Sequence, residues 1–355
     1  MKVHQFLTSF SYGDAIGNEA REIRNFLREQ GHESEIFALF HHPRYAHEVH
    51  NYLEYDSISS PDNVVIFHFS IGSPVSKKFL RLPDKKVMIY HNITPHHFFL
   101  DYHRVLSKDC YKGRIELKQF AGKVDLALGD SEYNRHELVE NGFTNTGTLP
   151  LVIDFNKFNQ PVSPIFRDLF ADGKENLIYV GRIIPNKKIE DIIKVFHLYQ
   201  KLFNPASRLF LVGEYRGFER YLSALQVLCG KLETKNVHFL GHLPLNEMVS
   251  CLKLSRLYLQ LSEHEGFCAP LVEAFHLGLP VIAFAAGAVE ETMSGAGLLV
   301  RKKDHRLIAG LVDRVLSDDS FYKQVQASQA KALEKYRLNQ TGRILLDYLE
   351  QLFKL

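Results

Sequence analysis

The 355-residue chain has no tryptophan, and only four cysteines and four methionines. Cys110, Cys229, Cys251 and Cys268 are far apart, with no C-x-x-C pair and no zinc spacing. A disulfide scaffold and a structural zinc site are therefore not expected, and the thiols read as reduced. An excess of one charge is also missing: 43 Lys and Arg face 41 Asp and Glu. A net charge of +2 sets up no field for nucleic acid, so no such partner is expected. Long apolar runs are lacking too. The uncharged stretch AFHLGLPVIAFAAGAV (274–289) contains Gly and Pro and falls short of a bilayer span. The opening MKVHQFLTSFSYGD is too short and too polar for a signal peptide. The expected location is the cytoplasm.

What is present is a globular composition, 45% hydrophobic and 24% charged, at a length suited to two domains. Short apolar runs alternate with helical patterns. VHQFLTSF, SEIFALF, NVVIFHF, KVMIYHN and VDLALGD read as strands, and EAREIRNFLREQ as a helix with Ile23, Phe26 and Leu27 on one stripe. Strands that are continuously apolar and separated by helices predict parallel βαβ units covered on both faces. The pattern pauses over 154–176, a Pro- and Phe-rich stretch that reads as an interdomain linker, and restarts with NLIYVGR. The expectation is an α/β protein of two Rossmann-like doubly wound domains. The first covers 1–160, with the final helix 338–355 crossing back to it, and the second 161–337. Ligands of such sheets bind at strand carboxyl ends, which predicts a cleft between the domains.

The second half holds the clearest chemistry. Arg182 follows a strand, and Lys187 and Lys188 precede a helix, where fixed cations meet phosphate. The loop SEHEGFCA leads into a helix opening at Pro270, whose first N–H groups suit a phosphate or a sugar hydroxyl. Glu265 and Glu273 frame that helix start with no Lys or Arg between them. Carboxylates accept from paired hydroxyls, and cations with a helix start suit a diphosphate, so the set reads as a nucleotide-sugar site. The bland alternatives are an ordinary surface loop for Arg182 and Lys187, a macrodipole partner for Glu273 and a solvated loop acid for Glu265. No D-x-D occurs, which favours a diphosphate neutralised by Arg and Lys over one held by metal.

The combination Gly181-Arg182…Lys187, then EGFCAPLVEA (265–274) and GLPVIA (278–283), resembles the retaining glycosyltransferases of family 4. The resemblance is dense in the second half and looser in the first, where GHESEIF, KVMIYHN, GDSEYNRHEL and LPLVIDFNKF match in kind. It implies the GT-B fold, no cofactor and no metal, and a UDP- or GDP-type sugar donor. It places Arg182 and Lys187 on the diphosphate, with Gly181 and Lys188 beside them. Glu265 takes donor-sugar hydroxyls near the backbone of Gly266, Phe267 and Cys268. Glu273 takes the ribose, Leu271 and Val272 offer N–H groups to phosphate, and His242 and Leu243 face the base. His91, closing the strand VMIYHN, matches the active-site histidine, although a strand-end histidine alone is more often structural. Gly13 and Asp14 fall in the first phosphate-facing loop, where the family often carries a Gly-Gly pair. Cys268 and Lys188 also stand where the family often carries glycine.

The implied reaction moves a hexose to a saccharide or polyprenyl-linked acceptor in polysaccharide synthesis. A peripheral membrane contact through the basic, apolar segment SKKFLRLPDKK (76–86) is weighed against a solvated helix end. Rival readings are a sugar-nucleotide epimerase or phosphorylase on the same fold, and a non-catalytic nucleotide-sugar-binding subunit.

Overall fold

A computed structural model describes the chain except Tyr12, Gly13, Arg337 and Leu355, and the side chains of Leu338, Asn339 and Lys354. The chain divides into two compact units. One comprises Met1–His97, Val105–Asp154 and Lys335–Leu355, the other Phe98–Arg104 and Phe155–Glu334.

Among the described residues, the first unit has seven strands: β1 (Val3–Phe10), β2 (Ile36–His41), β3 (Val49–Asn51), β4 (Val64–Phe69), β5 (Lys85–Tyr90), β6 (Leu126–Gly129) and β7 (Thr146–Thr148). They form one sheet in the order β3-β2-β1-β4-β5-β6-β7, every pair parallel. The order reverses direction between β1 and β4, so the switch point lies there. The second unit has β8 (Glu175–Val180), β9 (Ser207–Val212), β10 (Val237–Gly241), β11 (Leu257–Gln260), β12 (Val281–Phe284) and β13 (Leu298–Val300). These run β10-β9-β8-β11-β12-β13, again all parallel, with the switch point between β8 and β11. The two-sheet α/β expectation holds. Only the short edge strands β3 (VHN) and β7 (TGT) lack an apolar run that marks them in the sequence.

Alternation along the central strands of the first sheet sorts side chains between its faces. Val64 and Ile66 of β4 and Val87 and Ile89 of β5 share one buried layer with Leu126 and Leu128. The final helix, Leu338–Lys354, closes that layer with Leu345, Leu349 and Leu352. Lys85 Nζ donates to the Leu352 carbonyl at 2.7 Å, fixing the helix end. Phe67, Phe79 and Phe120 pack on the other face.

Two segments differ from the sequence reading. Residues 154–176 are not a free linker. From Phe155 on they are docked on the second unit: Phe158 lies in its core, and Phe155 stacks on His276 with ring centroids 4.7 Å apart. Residues 98–104, expected in the first domain, also belong to the second unit, because Phe99 meets Phe218 at 5.6 Å and Tyr102 meets Tyr221 at 5.3 Å. In the segment 76–86 only part of the apolar surface is accessible, because Leu80 is half-buried. Phe79 and Leu82 are buried, Lys78 pairs with Asp56, and Lys86 Nζ donates to the Leu82 and Asp84 carbonyls.

Leu349 is fully buried where the final helix meets the first sheet. Leu349→Ala is expected to lower stability by about 2–4 kcal/mol in urea unfolding, as large-to-small core changes do. A loss below about 0.5 kcal/mol, the scale of a surface change, would show that the helix is dispensable to that layer.

Candidate functional site

The loops at the carboxyl ends of β8 and β11 flank the switch point of the second sheet, and their side chains meet. Lys187 Nζ donates to both oxygens of Glu265, at 2.7 and 2.6 Å. Gln260, the last residue of β11, donates from Nε2 to Glu265 Oε1 at 2.7 Å and to Cys268 Sγ at 3.2 Å. Its Oε1 accepts from the Ser262 N–H at 2.7 Å. Asn186 joins the same two loops: its carbonyl accepts from Glu263 N at 2.9 Å and its Nδ2 donates to the His264 carbonyl at 3.3 Å. The loop after β12 is tied in through Ala288 N, which donates to the Glu265 carbonyl at 3.0 Å. Gly287 (φ +56°) is required there, because a Cβ would lie 2.2 Å from that carbonyl oxygen.

A carboxylate offers about four lone-pair directions and an ammonium three donors. Three hydrogen bonds already reach Glu265 and two leave Lys187, so each keeps capacity for one more partner. The Glu265 side chain is only 6% exposed, which makes Lys187 its essential counter-ion.

Gly181 and Arg182 follow β8. Gly213, at the end of β9, packs so tightly on this turn that a Cβ would fall 1.8 Å from the Gly181 carbonyl oxygen, and its φ is +152°. Arg182 is exposed, with Cζ 5.9 Å from the Phe218 ring centre. Lys188 caps the helix Ile189–Leu202 in the left-handed conformation (φ +53°) and lies 3.3 Å from Glu190 and 3.6 Å from Glu263. Burial pulls its ammonium pKa down, but these two acids outweigh it and the pKa rises.

Cys268 caps the helix Ala269–His276, also left-handed (φ +77°), so that helix begins one residue ahead of Pro270. The two positions where the family resemblance calls for glycine are thus left-handed in this chain. Burial, reinforced by Glu265, pushes the Cys268 thiol far up, so its sulfur serves as an acceptor for Gln260. Phe267 is buried and its carbonyl accepts from Thr292 Oγ1 at 2.5 Å. The Leu271 N–H, expected on phosphate, is spent on the Cys268 carbonyl at 3.1 Å, a tightened first turn. Val272 is buried in the same turn, and Gly266 precedes it in the loop. Glu273 meets Lys157 Nζ at 3.0 Å, a partner the sequence reading did not identify. His242 is exposed beyond β10, and Leu243 packs on the core of the unit.

The first unit places its polar groups at the carboxyl end of its own sheet. His68 and His91 continue the alternation Val64, Ile66 and Val87, Ile89. Their rings are parallel within 7° with centroids 5.2 Å apart, and His68 Nδ1 lies 3.0 Å from His91 Nε2. Glu19, on the helix Ala15–Glu29, faces both: its Oε2 is 3.5 Å from His91 Nε2 and 3.8 Å from His68 Nδ1. His91 Nδ1 is 3.4 Å from Asp130 Oδ2. Both ring nitrogens of His91 therefore point inward, and what this residue presents outward is its backbone. Glu19 precedes Ile23 by one turn on the apolar stripe, the signal that could have found it.

Among the described residues, Glu19, His68 and His91 are the one group whose ligand-type atoms converge, within 4.8 Å. The two rings face each other in hydrogen-bonding geometry, which suits a shared proton, whereas a metal needs two lone pairs converging on a third point. Asp14 accepts from Gly17 N at 3.2 Å as the cap of the helix Ala15–Glu29, so its carboxylate has a structural use. Gly13 lies outside the described residues.

Lys187→Met leaves the buried Glu265 carboxylate without its cation and is expected to lower stability by about 3 kcal/mol in urea unfolding. The double variant with Glu265→Gln is expected to recover most of that loss. A single variant within 0.5 kcal/mol of the parent, the range of a neutral surface change, would show that the pair holds nothing together.

Comparison with known proteins agrees with this architecture. Residues 164–332 match the family described as Glycosyl transferases group 1. The chain is similar to the O-antigen chain mannosyltransferase B of Escherichia coli, 28% identical over 144 residues, which covers 41% of this chain and 37% of that protein. It is also similar to the serotype-specific mannosyltransferase WbdA of Escherichia coli, 22% identical over 321 residues, 83% of this chain and 37% of that protein. The chain thus spans about a third of the length of these curated relatives. Among solved structures, Anabaena HepE in complex with UDP-glucose superposes with a TM-score of 0.78 at 17% identity, covering 99% of this chain and 100% of that one. The fold is GT-B, and residues 164–332 are similar to the glycosyl transferases group 1 family.

Proposed function

We propose that the protein is a metal-independent, retaining hexosyltransferase that uses a nucleotide-sugar donor. The observation that carries this reading is the Lys187–Glu265 pair at the switch point of the second sheet, with Arg182 exposed on the preceding turn. Such an edge can receive a diphosphate on Arg182 and Lys187 while Glu265 accepts one sugar hydroxyl and Glu273 the ribose. The barrier falls because positive charge and helix-start dipoles are already in place where the leaving diphosphate becomes more negative. The acceptor hydroxyl attacks the anomeric carbon on the face the diphosphate leaves, and the departing phosphate takes its proton. The names of the Escherichia coli relatives make mannose the first sugar to test, and the HepE complex supports a UDP-type alternative.

The acceptor in this reading is a saccharide, free or polyprenyl-linked. Among the described residues, no helix is long and apolar enough to cross a membrane. A lipid-linked acceptor would instead be met by a surface. On the helix Arg104–Phe120, Val105, Tyr111 and Ile115 are exposed alongside exposed Lys108, Lys112 and Lys118. Apolar side chains interleaved with lysines suit an anionic bilayer, at about 1 kcal/mol per lysine near the surface.

Four measurements test these claims. In a thermal-shift screen of UDP-, GDP-, ADP- and dTDP-hexoses, a ligand at a hundred times its Kd should stabilise by about 2.7 kcal/mol. No response to any of them would remove the donor-site assignment. Arg182→Ala is expected to raise the barrier by about 2–4 kcal/mol, and turnover within threefold of the parent would reject its role. Product NMR should show the donor's anomeric configuration kept in a new glycosidic bond; epimerised donor, or binding without turnover, would favour the rival readings. In vesicle sedimentation, Lys108→Glu with Lys112→Glu should abolish salt-sensitive binding to anionic vesicles, and parent protein that ignores such vesicles would exclude the docking face.

A further inference from the structure

The hydrogen bonds around His91 specify its protonation. Gln5 Nε2 donates to the Ala20 carbonyl at 2.9 Å, an oxygen that can only accept. The Gln5 amide orientation follows, and Gln5 Oε1 faces His68 Nε2 at 2.9 Å. His68 therefore carries its proton on Nε2 and leaves a lone pair on Nδ1. That lone pair lies 3.0 Å from His91 Nε2, so His91 must be the donor there. At the other side of the ring, His91 Nδ1 faces the Asp130 carboxylate at 3.4 Å, and Asp130 Oδ1 already accepts from Asn134 Nδ2. Both His91 nitrogens thus meet acceptors. Glu19, buried beside the pair, has no well-aligned hydrogen-bond donor on either oxygen beyond a contribution from the Val152 N–H, and the nearest positive charge it can find is this ring.

We infer that His91 is held as an imidazolium, with Glu19 as the positioning residue that keeps the proton there and His68 as the neutral acceptor. The titratable groups facing the ring are Glu19 from the helix Ala15–Glu29, Asp14 ahead of that helix, His68 from β4 and Asp130 after β6. Burial opposes charge on His91, but Glu19 and Asp130 outweigh it and its pKa rises. Burial holds His68 well below its ordinary value, with His91 acting in the same direction. Burial likewise pushes Glu19 up to about 7, against the pull of His91. Glu19 thus retains a proton that an unfolded chain would release between the ordinary carboxylate range and neutrality, whereas His68 gives up one that an unfolded chain would keep below the ordinary histidine range.

The consequence is mechanical as well as electrostatic. A ring hydrogen-bonded to His68 through Nε2 and set against the Asp130 carboxylate through Nδ1 supports the turn that follows β5, where Asn92 is left-handed (φ +69°) and donates to Asn134 Oδ1 at 2.7 Å. On the glycosyltransferase reading, which this role rests on, His91 acts through the backbone of that turn. Its imidazole is a support and not a general base.

Side-chain 15N NMR of the full chain tests this, with His91→Gln identifying the ring signals. Both His91 nitrogens should be protonated at pH 7. Glu19→Gln should lower the titration midpoint by about one pH unit, which is a tenfold change in proton affinity, and Glu19→Asp should restore part of it. A neutral single tautomer of His91 at pH 6.5 in the parent, or a midpoint unmoved by Glu19→Gln, would overturn the inference. If Glu19→Gln does not fold, the parent spectrum and Asp130→Asn decide in its place. One equivalent of a divalent metal in the purified protein, found by elemental analysis, would also overturn it. Turnover should drop about tenfold in Glu19→Gln, as displaced positioning groups cause, and unchanged turnover across pH 6–8 would reject the positioning role. The NMR readout needs no substrate, so a failure of the donor assignment is seen separately.

Discussion

Glu265 is the hub of the second unit's carboxyl edge. Its side chain joins the loops after β8 and β11 through Lys187 and Gln260, and its carbonyl captures the loop after β12 at Ala288. Parallel strands force every one of these loops to the same edge, and the reversal of strand order between β8 and β11 parts two of them into a crevice. A buried carboxylate at such a place is stable only with a cation, and the cation comes from the neighbouring loop. The same ion pair that satisfies the fold therefore sets two reactive charges side by side, each with one bonding direction left.

The first unit follows a related logic with different chemistry. Its sheet is apolar through its middle and becomes polar at the carboxyl end, with His68 near the end of β4 and His91 just after β5. In the second unit the edge pairs an ammonium with a carboxylate; in the first it pairs two imidazoles with two acids. Both arrangements bury charge at the end of a strand, where backbone groups leave the ladder and the side chains must find partners.

Much of this was legible in the sequence because it depends on local pattern. VHQFLTSF became β1 with the same limits, Val3–Phe10, since an apolar run of that length has few other uses. Arg182, Lys187 and Glu265 were visible because the residue types and their places after strands carry the chemistry. Partnerships set by tertiary approach were not visible. Nothing near Glu273 in sequence announces Lys157, which arrives from a segment that reads as a linker until its phenylalanines are seen docked. Gln260 reads as one polar residue ending a strand, and only the adjacency of loops turns it into the second donor to Glu265. In the basic segment 76–86, Phe79 and Leu82 look available in one dimension and are core in three.

Lys188 and Cys268 hold left-handed backbone with full side chains, at a cost of about 1–2 kcal/mol each relative to glycine. Such residues sample far fewer conformations than glycine before any ligand arrives. The loops they begin are consequently stiff, and less ordering entropy remains to be lost on association. What the chain gives up in folding stability at these two residues returns as rigidity in this edge, so tolerance of differently shaped ligands should be narrow.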